Sequence, residues 1–248
     1  MHTKAVARFF YANVPGLAAA RFAAKDFVAT YAAKPEFAGV SRLSISDGLI
    51  VDVGANRGQS IGAFRRFAPK ARIAAFEPEP ASVERLKARH GGHPAVTVHG
   101  CALAAASGEM TLFVPRYGHW HCDGMPATDY AAATDWLRDP GRMFAYDETK
   151  LTVEEHAVEC RTLDSFGLAP QLVKLHAQGA ELEILNGARE TMERHRPALM
   201  VAFVSDEVHR LLDSWGYRPY DYRDGQFRAG MAERPRTFTW YLTQDHSR

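Results

Sequence analysis

The chain has 248 residues, 46% of them hydrophobic, enough for one sizeable core with an appendage. Its 30 Lys and Arg against 29 Asp and Glu leave a formal net charge of +1, which supplies no general field for nucleic acid. No apolar run approaches the roughly 20 residues of a membrane span. Three widely spaced cysteines, Cys101, Cys122 and Cys160, form neither a disulfide framework nor a metal knuckle. The first residues carry Lys4 and Arg8 in a mixed apolar stretch and lack the continuous apolar core of a signal peptide. A reduced, cytoplasmic protein is expected.

Residues 1–47 predict a helical extension, with apolar residues at Val6, Phe9, Phe10 and Phe22 and a break at Pro15-Gly16. LIVDVG, from Leu49, predicts a buried strand running into a glycine turn. GQSIGAFRRFA predicts a helix with Ile61, Phe64 and Phe67 on one face. ARIAAFEP predicts a second strand, PASVERLKARH a second helix and AVTVHG a third strand. This alternation predicts a parallel sheet with helices on both faces. EMTLFV (109–114) predicts an extra strand, and residues 115–157, rich in aromatics, Gly and Pro, an irregular insertion too long for a plain connection. VKLHA, from Val173 to Ala177, predicts the next sheet strand. One helix is expected over 181–193, another strand at PALMVAF, and a helix ending at Gly216. YRPYDYR and RTFTWYLT predict two closing strands joined by a Gly-containing turn. The expected architecture is α/β: a doubly wound, mostly parallel seven-stranded sheet over residues 48–248, finished by a C-terminal antiparallel hairpin.

VDVGANRG (51–58) follows a buried strand and opens a helix. Gly54 and Gly58 permit close backbone approach to a ligand, and the helix start aims N–H groups at a negative group. Asp52 can hold a cation or a bridging water. Glu77 ends the second strand about 25 residues later, near the spacing of a ribose-binding acid. GANRG lacks the third glycine of a dinucleotide fingerprint, so an adenosine ligand carrying an amino acid fits better than NAD. A plain strand–helix turn with an incidental Glu is the alternative. Cys101 and Ala102 follow the third strand and can frame an adenine. A buried core thiol is an equally open reading of Cys101.

In order and spacing, VDVGANRGQS, AFEPEP, ALAAASGEMTLFV, CRTLD and KLHAQGAELEILNGA resemble the FkbM family of S-adenosylmethionine-dependent methyltransferases, over roughly residues 49–203. The resemblance implies the Rossmann-like class I methyltransferase fold. It implies S-adenosylmethionine as cofactor, and O-methylation of a small-molecule hydroxyl on a sugar, polyketide or related natural product. It also implies that Asp52, Gly54, Asn56 and Gly58 hold the methionine part of the cofactor and Glu77 the ribose. The chain departs from the family pattern at the next strand, which is close to K-I-D-V-E-G-A-E. Here His176 stands for the Asp, Gln178 for the first Glu, and Ala202 for a Glu usual at the end of the following strand. With three carboxylates absent, a cation held by hard oxygen ligands would lose most of its site, and no metal is expected.

His176 is the candidate catalytic base, since an imidazole near its ordinary pKa of about 6.5 accepts a proton at neutral pH. A histidine that only hydrogen-bonds at a strand end is the competing reading. In the insertion, His119 and His121 with Cys122 or Asp123 can ligate a transition metal. An aromatic substrate lid using Tyr117, Trp120, Trp136 and Phe144, or a merely packed loop, are the other readings. Two functions follow: an active small-molecule O-methyltransferase, or a degenerate cofactor-binding protein without turnover. Neither a nucleic acid nor a membrane is expected as partner, and the sequence leaves the oligomeric state open.

Overall fold

The structure is a computed structural model, and it describes residues 3–31, 33–43, 45, 47–122, 124–233 and 237–247. In chain order it begins with helices α1 (Thr3–Asn13) and α2 (Leu17–Tyr31), separated at Pro15-Gly16, and a 3-10 turn at Pro35–Arg42. There follow β1 (Leu49–Val53), α3 (Gln59–Phe67), β2 (Arg72–Phe76), α4 (Pro80–His90), β3 (Val96–His99) and β4 (Ala102–Leu103). Next come β5 (Gly108–Tyr117), β6 (Trp120–His121), α5 (Tyr130–Thr134) and β7 (Leu151–Arg161). The last third holds β8 (Pro170–Leu175), α6 (Glu181–Asn186), α7 (Arg189–His195), β9 (Ala198–Ala202), α8 (Asp206–Ser214), β10 (Arg218–Arg223), β11 (Gln226–Ala229) and β12 (Phe238–Leu242). Among the described residues no helix is long and apolar enough to cross a membrane.

Contacts group the chain into two units, Met1–Val28 with Glu109–Val158, and Ala29–Gly108 with Glu159–Arg248. The second unit holds a sheet in the order β11-β10-β12-β9-β8-β1-β2-β3. The five strands from β9 to β3 run parallel. β12 is antiparallel to β9, and β10 and β11 continue antiparallel from it. Four of the parallel strands, β1, β2, β8 and β9, are almost wholly buried because both faces are covered, as a doubly wound sheet requires, while β3 at the edge is partly exposed. Alternate residues serve alternate faces. Ile50, Ile73, Leu172, Met200 and Trp240 pack with Phe37, Ile61, Phe64 and Leu86 on one side. Val51, Phe76, Val173, Leu199 and Tyr241 pack with Ile184, Met192, Val208 and Leu212 on the other. Asp164 ties the start of α7 down: its carboxylate accepts from the Glu190 and Thr191 N–H groups at 3.0 and 2.8 Å.

The observed sheet differs from the expected seven strands by β11. Asp224 (φ 53°) and Gly225 (φ 77°) make a two-residue turn of the kind that favours tight hairpins, so β10 doubles back before β12 begins. The single helix expected over 181–193 is two. Gly187 separates them, its backbone so close to Ala104 that an added Cβ would lie 2.0 Å from the Ala104 carbonyl oxygen.

The first unit is better ordered than an irregular insertion. β5 pairs with β6 at Arg116–His121 and Tyr117–Trp120, and β7 brings an eleven-residue strand. Tyr117, Trp120, Trp136, Leu137 and Met143 form a separate core with Tyr11 and Ala12 of α1. Trp120 meets Tyr11 and Trp136 edge-on, with centroids 6.2 and 5.8 Å apart. Gly118 (φ 55°) allows this: a Cβ there would lie 2.4 Å from the Ala12 carbonyl oxygen. The aromatic residues read as a lid thus spend their faces on packing, apart from Phe144, which is exposed.

Candidate active site

The glycine turn after β1 is built as its sequence suggests. Gly54 (φ 71°), Asn56 (φ 47°) and Gly58 (φ 80°) take left-handed backbone conformations, the last at the start of α3. Gly54 and Ala55 N–H donate to the Phe76 carbonyl at 2.9 and 3.2 Å. A Cβ on Gly54 would lie 2.0 Å from the His176 carbonyl oxygen, so no other residue fits between β1 and β8 here. Gly58 is packed by His90, whose Nε2 would sit 2.4 Å from an added Cβ.

Glu77, just past β2, reaches back into this turn. Its Oε2 accepts from Asn56 N–H at 2.8 Å and its Oε1 from Glu79 N–H at 3.0 Å. Its own N–H donates to the His99 carbonyl at 3.1 Å, which brings the end of β3 alongside. Burial raises the Glu77 carboxyl to about 7, against the lowering by those two N–H donors. Two donors leave half the lone pairs of a buried carboxylate unused, and a vicinal diol would supply the rest.

Asp52 is placed otherwise than expected. It is fully buried, and Oδ1 faces the Lys174 ammonium at 2.9 Å while Oδ2 accepts from the Ser60 hydroxyl at 2.5 Å. Lys174 also donates to the Val53 and Gly54 carbonyls at 3.0 and 2.8 Å. Asp52 therefore braces the turn from below and presents no surface to a cation or a ligand. The signal was legible in hindsight: a lysine inside the apolar run VKL needs a buried partner.

Cys101 is buried in the apolar cluster of one sheet face, and burial pushes its thiol up to about 11. It can wall a pocket as a neutral thiol. Ala102, also buried, lies in β4, paired with Cys160 of β7.

β8 ends at Leu175, so His176 begins the loop rather than closing the strand. Its N–H donates to the Val53 carbonyl at 3.2 Å. The ring lies edge-to-face with Phe203 and with Phe238, each 5.7 Å away. Burial first, then the positive charges of Lys174 and Lys34, pull the imidazole down to about 3. The ring is neutral at physiological pH. Gln178 (φ 52°) and Gly179 (φ 105°) turn the loop. Glu181 holds it, accepting from the Ala177 and Gly179 N–H groups at 2.7 and 2.8 Å.

Sequence reasoning passed over three further residues. Phe203, after β9, is non-glycine at φ 48° and 73% exposed, a conformation that costs about 1–2 kcal/mol. Phe238 begins β12 opposite Ala202. Lys34 donates to the Thr237 hydroxyl at 2.7 Å, with its ammonium 5.6 Å from the Phe238 ring centroid. In the first unit, His119 and His121 gather no metal site: among the described residues no group of three or more His, Cys, Asp or Glu is placed to hold an ion. Asp123 lies outside the described residues.

The strand order, with β12 reversed between β9 and β10 and a glycine turn and acid at the ends of β1 and β2, defines a Rossmann-like class I methyltransferase fold. A model of the methyltransferase FkbM domain matches residues 52–219. The chain belongs to this family of S-adenosylmethionine-dependent methyltransferases. It is similar to the 2-O-methyltransferase NoeI of Sinorhizobium fredii, 27% identical over 169 residues that cover 63% of this chain and 64% of that protein. It is also similar to Methyltransferase 1 of Beauveria bassiana, 30% identical over 156 residues, 57% of this chain and 58% of that one. The matches thus span less than two thirds of either relative. The crystal structure of the FkbM methyltransferase from Methylobacillus flagellatus shares the fold, with a TM-score of 0.51 and 17% identity over 84% of this chain and 50% of that one.

Proposed function

We propose that the protein methylates a hydroxyl group of a small molecule with S-adenosylmethionine. The observation that carries the cofactor half of this reading is Glu77, a buried carboxyl short of donors beside a glycine turn. Its spare lone pairs fit the two ribose hydroxyls, and the Gly54–Gly58 backbone fits the amino-acid part. Cys101 and Ala102 fit as apolar walls for the adenine. Bound there, S-adenosylmethionine would supply an activated methyl on a positively charged sulfur, which would keep the C–S electron pair and leave as a neutral thioether when the acceptor oxygen takes the methyl.

The protein's own contribution is mostly placement. Lys174 and Asp52 lock the end of β1 to β8, which fixes the turn against the His176 loop. Glu181 fixes that loop from the other side. His176 is a neutral acceptor, too weak a base to ionise an alcohol beforehand. It orients the hydroxyl and takes its proton only as the C–O bond forms and that proton becomes acidic.

A second reading has its own support, the replacement of three carboxylates by His176, Gln178 and Ala202: a protein that binds the cofactor without turnover. Titration calorimetry with S-adenosylmethionine, followed by a product screen over sugars and natural-product alcohols, separates the two. Tight binding with a methylated product supports the enzyme, and tight binding with none across the panel supports the binder. Absence of binding removes both.

A further inference from the structure

We propose that Phe203, His176 and Lys34, backed by the buried Phe238, form an acceptor subsite for a ring compound that carries an anionic group. The proposal rests on the methyltransferase reading and names the class of acceptor.

Phe203 is the first observation. An aromatic residue in left-handed backbone geometry, largely exposed, opposes stable folding twice over. Its position is nonetheless well defined: the N–H donates to the Thr237 carbonyl at 3.3 Å, and the preceding Ala202 is paired with Phe238. The ring stands at the end of β9, edge-on to His176. Phe238, buried at 3% exposure, backs the imidazole from the core side and leaves Phe203 as the exposed ring beside it. The open face of Phe203 suits the face of a ring.

Charge is the second, independent observation. Lys34 brings an ammonium to this end of the sheet, 5.6 Å from the Phe238 ring centroid. That ammonium donates to the Thr237 hydroxyl, and among the described residues no carboxylate lies within ion-pair distance of it. The nearby Glu36 carboxylate is engaged with the Thr237 N–H at 3.2 Å. Lys174, the other cation near His176, is spent on Asp52 and two carbonyls. Lys34 alone of the two keeps donors for a ligand. A carboxylate, sulfate or phosphate on the acceptor would be drawn to it.

The test is paired-probe binding by saturation-transfer NMR titration, with and without S-adenosylhomocysteine. The probes are 4-hydroxybenzoate against phenol, and D-glucuronate against D-glucose. The anionic member of at least one pair is expected to bind about tenfold tighter than its neutral partner, and the pair that responds identifies the ring. Lys34→Met should erase that preference, and Lys34→Arg should keep it. Phe203→Gly should raise the melting temperature by relieving the backbone and weaken ring binding severalfold, a combination that a merely structural phenylalanine would not give. Equal binding of charged and neutral members, a preference that survives Lys34→Met, or a destabilised Phe203→Gly protein with unchanged binding would overturn the proposal. Failure of S-adenosylhomocysteine to bind would instead count against the methyltransferase reading, since the probe preference is read without it as well.

Discussion

The ends of β2 and β8 flank the same strand, β1, yet they carry opposite chemistry. At β2 a buried acid is retained, and Glu77 is pushed up to about 7 by burial. Past the ends of β8 and β9 stand His176 and Phe203, and His176 is pulled down to about 3 by burial and neighbouring lysines. Low polarity acts on both sites. It favours the protonated acid at one and the unprotonated base at the other, so both groups tend toward neutrality in the folded apo protein. In the proposed reading the β2 side holds the cofactor, and the β8 side, with its aromatic rings and an ammonium, holds the acceptor. The two can therefore be perturbed separately, and each perturbation has a different expected readout.

The largest effect is expected where the sides are joined. Lys174→Met strands the Asp52 carboxylate in the interior, and denaturant unfolding should show a loss of about 3–5 kcal/mol. Adding Asp52→Asn should restore much of it; a double variant as unstable as the single would mean that the ion pair is not the tie. Next, Glu77→Ala should weaken S-adenosylmethionine binding by about 1.5–3 kcal/mol in calorimetry, while His176→Phe should leave it nearly unchanged. Equal losses in the two variants would erase the division between sides.

Smaller, and of opposite sign, are the pH effects on apo stability. Glu77 has a folded value above its ordinary one, so its contribution is present below about 4.5 and is lost as pH rises toward 7. His176 has a folded value below its ordinary one, so its contribution is present above about 6.5 and is lost as pH falls toward 3. The two slopes oppose each other between about 4.5 and 6.5. Thermal melts across this window should rise more steeply with pH in Glu77→Gln and fall with pH in His176→Leu. Parallel curves for both variants would contradict the assignment. The smallest expectation is none at all: EDTA should not change turnover, because the acidic positions a divalent ion would use are His176, Gln178 and Ala202. Loss of activity with recovery on adding Mg²⁺ would show a cation bound elsewhere.

Most of the parallel sheet was legible because its cues are local. LIVDVG, ARIAAFEP and AVTVHG each carry a buried run and a turn signal, and the helix α3 shows its Ile61 and Phe64 face directly. Glu77 was legible for the same reason, by spacing from the glycine turn. What sequence could not supply depends on pairing across long separations. Lys34 sits in the segment expected to be a helical extension, and only the fold brings it to Thr237, 203 residues away. Phe203 reads as one more apolar residue at a strand end until its φ is known. The burial of Asp52 is not legible in its own segment because its partner arrives from β8. In the first unit the short strands and the turns around Tyr117 and Trp120 are held by residues far apart in the chain, among them Tyr11 and Ala12 of α1. Its aromatic content alone did not distinguish a core from a binding face.

The short strand β11 bears on how copies of the molecule meet. Without it, β10 would end the sheet and offer its open backbone row to another chain, the usual starting point of edge-to-edge association. β11 covers part of that row and is a poor template itself. It is four residues long, mostly exposed, and carries Arg228, whose guanidinium turns back to Asp224 at 3.0 Å. Its one inward ring, Phe227, packs on Tyr222 and Trp240 and so anchors the strand to its own sheet. The Asp224-Gly225 turn thus guards this margin of the sheet against unwanted partners.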